Sequence, residues 1–289
     1  EILAGMKADL KGTVKFIFQP AEEGPPAGEE GGARLMVEEG VMENPHVDAV
    51  FGLHIWAQTE VGQLTYRPGG MMAGANDMKI IVKGRQAHGA APWASIDPIV
   101  VSAQIINSLQ TIVSRNLNIT ENAGVVTIGS IHAGVRSNII PEQAEMLGTI
   151  RSLSKADEKL LEDRIRLIAT KTAEAAGATV EIKIPYSSHY PITYNDPALT
   201  EKMVPSLMRT AGAANVKVIP PITGAEDFSF YQEKAPGLFF FLGGMPKGSD
   251  PKTAPSHHTP DFFIDESAFK LGVKALAGLT LDYMETGGK

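Results

Sequence analysis

The 289-residue chain has no cysteine, so it can build neither a disulfide framework nor a thiolate metal site. That absence fits a reducing compartment, and a cytoplasmic location is the expectation. No apolar run approaches the roughly 18 residues needed to cross a bilayer, which excludes a membrane-spanning helix. Positive charge is also in short supply: 26 Lys and Arg stand against 33 Asp and Glu, a net charge of −7. A general nucleic-acid binder would carry a basic footprint, so nucleic acid is not an expected partner. The charge leaves the substrate open, because the field in a cleft can oppose the global sign. Neither an initiator Met nor a signal-peptide pattern is found among these residues. The chain opens at Glu1, inside the helix-like EILAGMKADL, and is expected to begin in mid-domain. What remains is ordinary globular material, 43% hydrophobic and 20% charged, enough for one large or two ordinary domains.

The first elements alternate. TVKFIFQ reads as a buried strand, a Gly-, Pro- and Glu-rich loop follows, ARLMVEEGVM is helical, and DAVFGLHI is a second strand. This strand–helix–strand order predicts a parallel α/β sheet, whose ligands lie beyond the carboxyl ends of the strands. Glu22, Glu23 and His54 should share that edge. From about Met78 the rhythm becomes β-α-β-β-α-β, the split βαβ or ferredoxin-like order, complete by ATVEIKIPY. The α/β pattern then resumes with a helix from Pro197 to Ala211, the strand VKVIP, the apolar strand LFFFLGG and a closing amphipathic helix. The expected organisation is an α/β domain in two segments, 1–75 and 191–289, interrupted by an inserted ferredoxin-like domain at 76–190.

Several residues could carry chemistry. Glu22 and Glu23, adjacent at a strand end, repel and lose solvation, so one must be neutralised or paired with a cation. If one carboxylate ligates a metal, the other can take a proton from water that the metal acidifies. A solvated acidic loop explains the same letters. His54 would complete a mixed nitrogen and oxygen set suited to zinc or manganese, or serve as a hydrogen-bonded core residue. His257 and His258 lie in a Pro-rich loop, and adjacent side chains diverge, so at most one of them ligates. His88, in GRQAHGAAP, could polarise a scissile carbonyl or simply occupy a turn. Asn138 could donate to a carbonyl and Arg151 could grip a carboxylate, or both could be surface residues. GAEDFSF, with Glu226, reads as a helix start that Asp227 caps or that attracts an anion.

Each signal is weak alone, but their order is specific. FQPAEEG, GLH, GRQAHGAAP, SNIIP, GTIR, GAEDFSFY and HTPDF together resemble the di-metal amidohydrolases of the aminoacylase/carboxypeptidase G superfamily, in the branch of hippurate hydrolases and N-acyl-amino-acid amidohydrolases. The resemblance runs along essentially the whole chain. It implies a zinc-peptidase-like α/β catalytic domain with an inserted lid that also dimerises. It implies Glu22 as general base, Glu23, His54 and His258 as metal ligands, and His88 as a catalytic histidine reaching the partner subunit's site. Asn138, Arg151 and Glu226 would bind substrate. The implied cofactor is two divalent ions per subunit in the intact enzyme (Zn, Mn or Co), and the implied substrate is a small N-acyl amino acid. Further ligands belong to a family motif upstream of Glu1, so the chain from Glu1 is expected to hold at most one metal. A dipeptidase or carboxypeptidase, or an inactive homologue acting as a binding module, are the alternatives.

Overall fold

Nine successive residues, Gly237–Met245, are all buried, and they form the middle of the first structural unit. The computed structural model describes residues 1–26, 28–121, 123–187 and 189–287. It divides into two compact units: Glu1–Met71 with Thr193–Ile222 and Glu226–Lys289, and Met72–Ile192 with Thr223–Ala225.

In the first unit, Gly237–Met245 pairs parallel with Val50–Glu60 on one side and antiparallel with Leu64–Tyr66 on the other. Val216–Val218 adds parallel to Leu64–Tyr66 and completes a four-stranded sheet. A strand buried on both faces reads as a continuous apolar run, which is why the Phe239, Phe240 and Phe241 stretch was legible. The helices Pro197–Ala211 and Phe269–Glu285 cover one face, and their Leu199, Met203, Leu207, Ala275 and Leu279 join Leu64, Leu238, Phe240 and Leu242 in a core. Asp196 caps the first of these helices through Leu199 N–H, at 2.7 Å, with Pro197 at its first turn. Two expectations need correction. The sheet is mixed rather than parallel, because the chain turns back after Glu60 and sends Leu64–Tyr66 antiparallel to its neighbour. Residues 13–19 form no strand, and Phe16 is 60% and Phe18 85% exposed. β-Branched and aromatic content makes a segment fit a sheet but cannot supply the neighbouring strand.

The second unit is built on Gly74–Lys83, Gly124–Ala133, Gln143–Ser152 and Thr179–Lys183, with helices Pro98–Arg115 and Lys155–Ala175 between them. All pairings are antiparallel, and Gly74–Lys83 lies between Gln143–Ser152 and Thr179–Lys183. Gly124–Ala133 pairs on the far side of Gln143–Ser152. That spatial order, fourth–first–third–second, is the ferredoxin-like arrangement. Met78, Ile80 and Val82 point to the helices, where Ile105, Leu109, Leu161 and Ile165 meet them. Among the described residues no helix is long and apolar enough to cross a membrane.

Candidate active site

In the first unit, Glu22 and Glu23 follow Ala21, whose φ of 55° is left-handed. A non-glycine residue in that region is strained, and here it marks the point where the chain turns to present the two acids in different directions. Glu22 turns towards the buried acids Glu226 and Asp227. One ligand atom from each of the three lies within 4.8 Å of the others, and among the described residues this is the one such group of His, Asp or Glu. Burial raises the proton affinity of Glu22, and the charges of Asp227 and Glu23 raise it further. Glu226 is affected most: burial first, then the charge of Glu22, push its pKa to about 8. The two carboxyls share a hydrogen bond, so Glu226 holds a proton near neutral pH and donates it to Glu22. The Phe228 N–H donates to Glu226 Oε1 at 3.1 Å.

Glu23 points elsewhere. Its Oε1 lies 3.5 Å from His258 Nε2, and both side chains are largely exposed. His258 has a φ of 61°, a second left-handed non-glycine residue. Its neighbour His257 turns inward. There the Ala57 N–H donates to His257 Nε2 at 3.0 Å, and the ring lies against Trp56, Phe262 and His54, with centroids 4.9, 5.1 and 5.2 Å away. Burial lowers the proton affinity of His257. A neutral imidazole that accepts at Nε2 keeps its proton on Nδ1, so His257 Nε2 is taken by the backbone, whereas His258 is the exposed histidine that faces Glu23. His54 stands on Val50–Glu60 opposite Phe241, its Nδ1 in contact with the Ile55 carbonyl. The structure thus brings Glu23 and His258 together and sets His54 against His257. Glu23, His54 and His258 all act electrostatically on His257, so the four side chains form one neighbourhood.

Glu23, His54 and His258 supply one carboxylate and two imidazoles, open to solvent or half-buried, donor types that zinc and manganese accept. Among the described residues their ligand atoms do not gather within 4.8 Å of one another; the group that does is Glu22, Glu226 and Asp227. Asp227, read from sequence as the cap of its own helix, instead caps another. The helix that follows it, Ser229–Gln232, is four residues long, whereas Asp227 Oδ2 accepts the Ala33 N–H of helix Gly32–Glu38 at 2.7 Å. Glu226, read as a substrate contact, is only 5% exposed and faces Glu22. Gln19 and Tyr231, which are bonded to each other and through Gln19 to Asp227, had no signal in the sequence, since single Gln and Tyr letters belong to no motif.

The remaining candidates belong to the second unit. His88 lies on Ala87–His88, paired with Ile139–Ile140, and its Nδ1 accepts from the Ala90 N–H at 3.0 Å. In the neutral ring this leaves the proton on an exposed Nε2, a donor suited to a developing oxyanion. The Gly89 N–H donates to the Asn138 carbonyl at 2.8 Å, so His88 and Asn138 are neighbours. Arg151, on Gln143–Ser152, is half-buried. Burial lowers its proton affinity, and among the described residues no carboxylate pairs with it.

The acid pair is divided, Glu22 facing Glu226 and Asp227 while Glu23 faces His258. The family described as Peptidase family M20/M25/M40 matches residues 1–282, and the chain belongs to it. By family it is a metal-dependent amidohydrolase. It is 39% identical over 282 residues to thermostable carboxypeptidase 2 of Saccharolobus solfataricus, covering 98% of this chain and 69% of that protein. To the N-acetylcysteine deacetylase of Bacillus subtilis it is 37% identical over 285 residues, 99% of this chain and 70% of that one. The crystal structure of the Bacillus subtilis YXEP protein, described as a dinuclear metal binding peptidase from the M20 family, superposes with a TM-score of 0.76. It is 33% identical, and the match covers 99% of this chain and 69% of that one. The chain therefore spans about seven tenths of the length of these relatives.

Proposed function

We propose that the chain hydrolyses the amide bond of N-acyl amino acids to a carboxylic acid and a free amino acid, with Glu22 as the general base. The observation that carries this reading is the division of the acid pair: Glu22 is half-buried beside carboxyls, and burial and their charge raise its proton affinity, while Glu23 faces His258. A base works best when its pKa approaches the working pH, and the pocket moves Glu22 in that direction. Glu23, His54 and His258 would hold a divalent ion, zinc or manganese by donor type. Such an ion, when bound, supplies positive charge that acidifies water and stabilises charge on the amide oxygen. Glu22 takes the proton from the attacking water as the new C–O bond forms. It then delivers that proton to the departing amine nitrogen as the C–N bond breaks. His88, with its Nε2 proton available, is the second unit's candidate oxyanion donor. Arg151 is the candidate grip for the free carboxylate of the substrate, with Asn138 beside His88 donating to the acyl or carboxylate end.

An N-acetylated amino acid and a peptide cut by a carboxypeptidase both present an acylated amino acid with a free carboxylate, so Arg151, which no carboxylate pairs among the described residues, serves either substrate. The deacetylase among the relatives favours the small acyl group, and the carboxypeptidase keeps the second reading open. A panel of N-acetyl amino acids, N-benzoyl amino acids and short peptides, assayed with zinc, manganese and cobalt on the full-length protein, separates the two. Within that panel Glu22→Gln should lower kcat by about 10²–10⁴ and leave metal content unchanged. Wild-type turnover in that variant would remove Glu22 from the role of base.

We also propose that a second copy of the chain pairs through the second unit. Gly124–Ala133 is the outermost strand of its sheet, and Ile131 and Val135 beside it are 45% and 95% exposed. An open edge with apolar neighbours is a surface that a second strand covers, and two-fold dimers are the commonest oligomers.

A further inference from the structure

Gln19 precedes Glu22 by three positions, and its side chain is tied on both ends. Its Nε2 donates to Asp227 Oδ1 at 2.7 Å and to Oδ2 at 2.8 Å. Its Oε1 accepts from the hydroxyl of the buried Tyr231 at 2.9 Å. An ionised Asp227 only accepts, so the amide must turn its NH₂ towards the acid and its oxygen towards the phenol. The far side of Asp227 is fixed as well, by the Ala33 N–H at 2.7 Å. Gly32, next to Ala33, has a φ of +76°, and a Cβ there would stand 2.7 Å from Asp227 Oδ2; the carboxylate and the start of this helix approach as closely as a missing side chain permits. Glu226, the chain neighbour of Asp227, shares its hydrogen bond with Glu22. One short segment therefore grips two consecutive acids, through Gln19 and through Glu22. Among the described residues, 13–20 join no strand, so no ladder of backbone hydrogen bonds holds the segment at this point.

We propose that Gln19 is a positioning residue for the reaction. By clamping Asp227, with Tyr231 as its anchor, it fixes where the Glu22 carboxylate stands. The inference rests on the assignment of Glu22 as general base. Displacing a catalytic group by about 1 Å costs roughly 10²-fold in rate, so loss of the clamp should appear in kcat while substrate contacts persist.

The test uses the full-length, metal-loaded enzyme. Gln19→Met keeps the length and stem of the side chain and removes its three hydrogen bonds. It should lower kcat about 10–100-fold, with KM changed by less than about threefold and metal content and circular dichroism unchanged. Tyr231→Phe should lower kcat less. The double variant should fall no further than Gln19→Met alone, because the two act as a unit. Gln19→Glu combined with Asp227→Asn exchanges donor and acceptor across the clamp, and it should recover most of the kcat lost in Gln19→Glu alone. A merely structural role would produce none of this pattern. Full kcat in Gln19→Met, or a loss confined to KM, overturns the proposal. If Gln19→Met does not fold, Tyr231→Phe decides, and an unchanged kcat there overturns it equally. Glu22→Gln in the same assay keeps the two claims apart. If Glu22→Gln is inert and Gln19→Met is fully active, only the clamp fails; if Glu22→Gln is active, the base assignment itself fails.

Discussion

Replacing Glu226 by Gln should make this protein more stable in mild alkali, and the size of the effect follows from where the residue sits. Glu226 is 5% exposed, and burial with the nearby charge of Glu22 raises its pKa from an ordinary 4.5 to about 8. A group that binds its proton more tightly when folded contributes its full stability below the unfolded pKa. That contribution drains away as pH rises through the folded pKa. The window is therefore about 4.5 to 8. Each tenfold in proton affinity is worth ~1.4 kcal/mol, so the upper bound over this window is ~5 kcal/mol, a large share of the ~5–15 kcal/mol of a typical domain. Gln has the same shape, can still donate to Glu22 and does not ionise. Glu226→Gln should therefore match wild type near pH 4.5, exceed it increasingly up to about pH 8 and hold a constant advantage above that. The assay is urea denaturation between pH 4.5 and 9, after chelator treatment so that no cation favours the ionised pair. Trp56 fluorescence reports it, since that ring stacks on Phe241 at 4.4 Å in the same unit. Two stability curves that stay parallel across the whole range would show that Glu226 does not hold its proton, and the account of the acid pocket would fail.

Arg151→Met should raise KM for substrates with a free carboxylate about 10–100-fold, the worth of a charged hydrogen-bonded contact, while carboxyl-amidated analogues show no difference; equal losses on both would remove Arg151 from carboxylate recognition. Ile131→Lys should shift the sedimentation coefficient from dimer to monomer, and a dimer that survives it would place the interface elsewhere. His257→Ala should lower metal affinity as well as stability, since it opens the aromatic packing beside His54; metal affinity equal to wild type would mean that His257 packs without positioning a ligand.

Much of the fold was legible where local signals and long-range packing agree. Asp97 before Pro98 and Asp196 before Pro197 announce helix starts, and both aspartates accept from backbone N–H groups of the first turn. The β-α-β-β-α-β order of the second unit needs only the alternation of periods two and 3.6 along the chain. Residues 13–19 mark the limit. Their composition is as strand-like as that of Val50–Glu60, yet Phe16 and Phe18 stay exposed, because pairing is a property of two segments and only one was being read. Strand direction was hidden for the same reason. Leu64–Tyr66 is three residues long, and its antiparallel seat beside Gly237–Met245 depends on the pairing of Thr65 with Phe241, 176 positions away.

The site itself shows a narrower limit, set by doublets. Glu22 and Glu23, His257 and His258, and Glu226 and Asp227 are pairs of like chemistry, and the sequence offers no local reason to rank one member over the other. In an irregular segment, successive side chains diverge, so a doublet reaches two environments from one point in the chain. Glu22 enters the carboxyl pocket while Glu23 faces His258. His257 accepts a backbone N–H among aromatic rings while the exposed His258 faces Glu23. Glu226 meets Glu22 while Asp227 turns to Gln19 and Ala33. Left-handed backbone at Ala21, directly before the first pair, and at His258, within the second, carries the chain through these divergences at a conformational cost of about 1–2 kcal/mol each. Each doublet then combines a member that builds the frame or holds a proton with a member that faces outward or clamps the frame. Such a division lets a short loop place two like side chains in two different environments, and the order of motifs along the chain does not describe which member enters which.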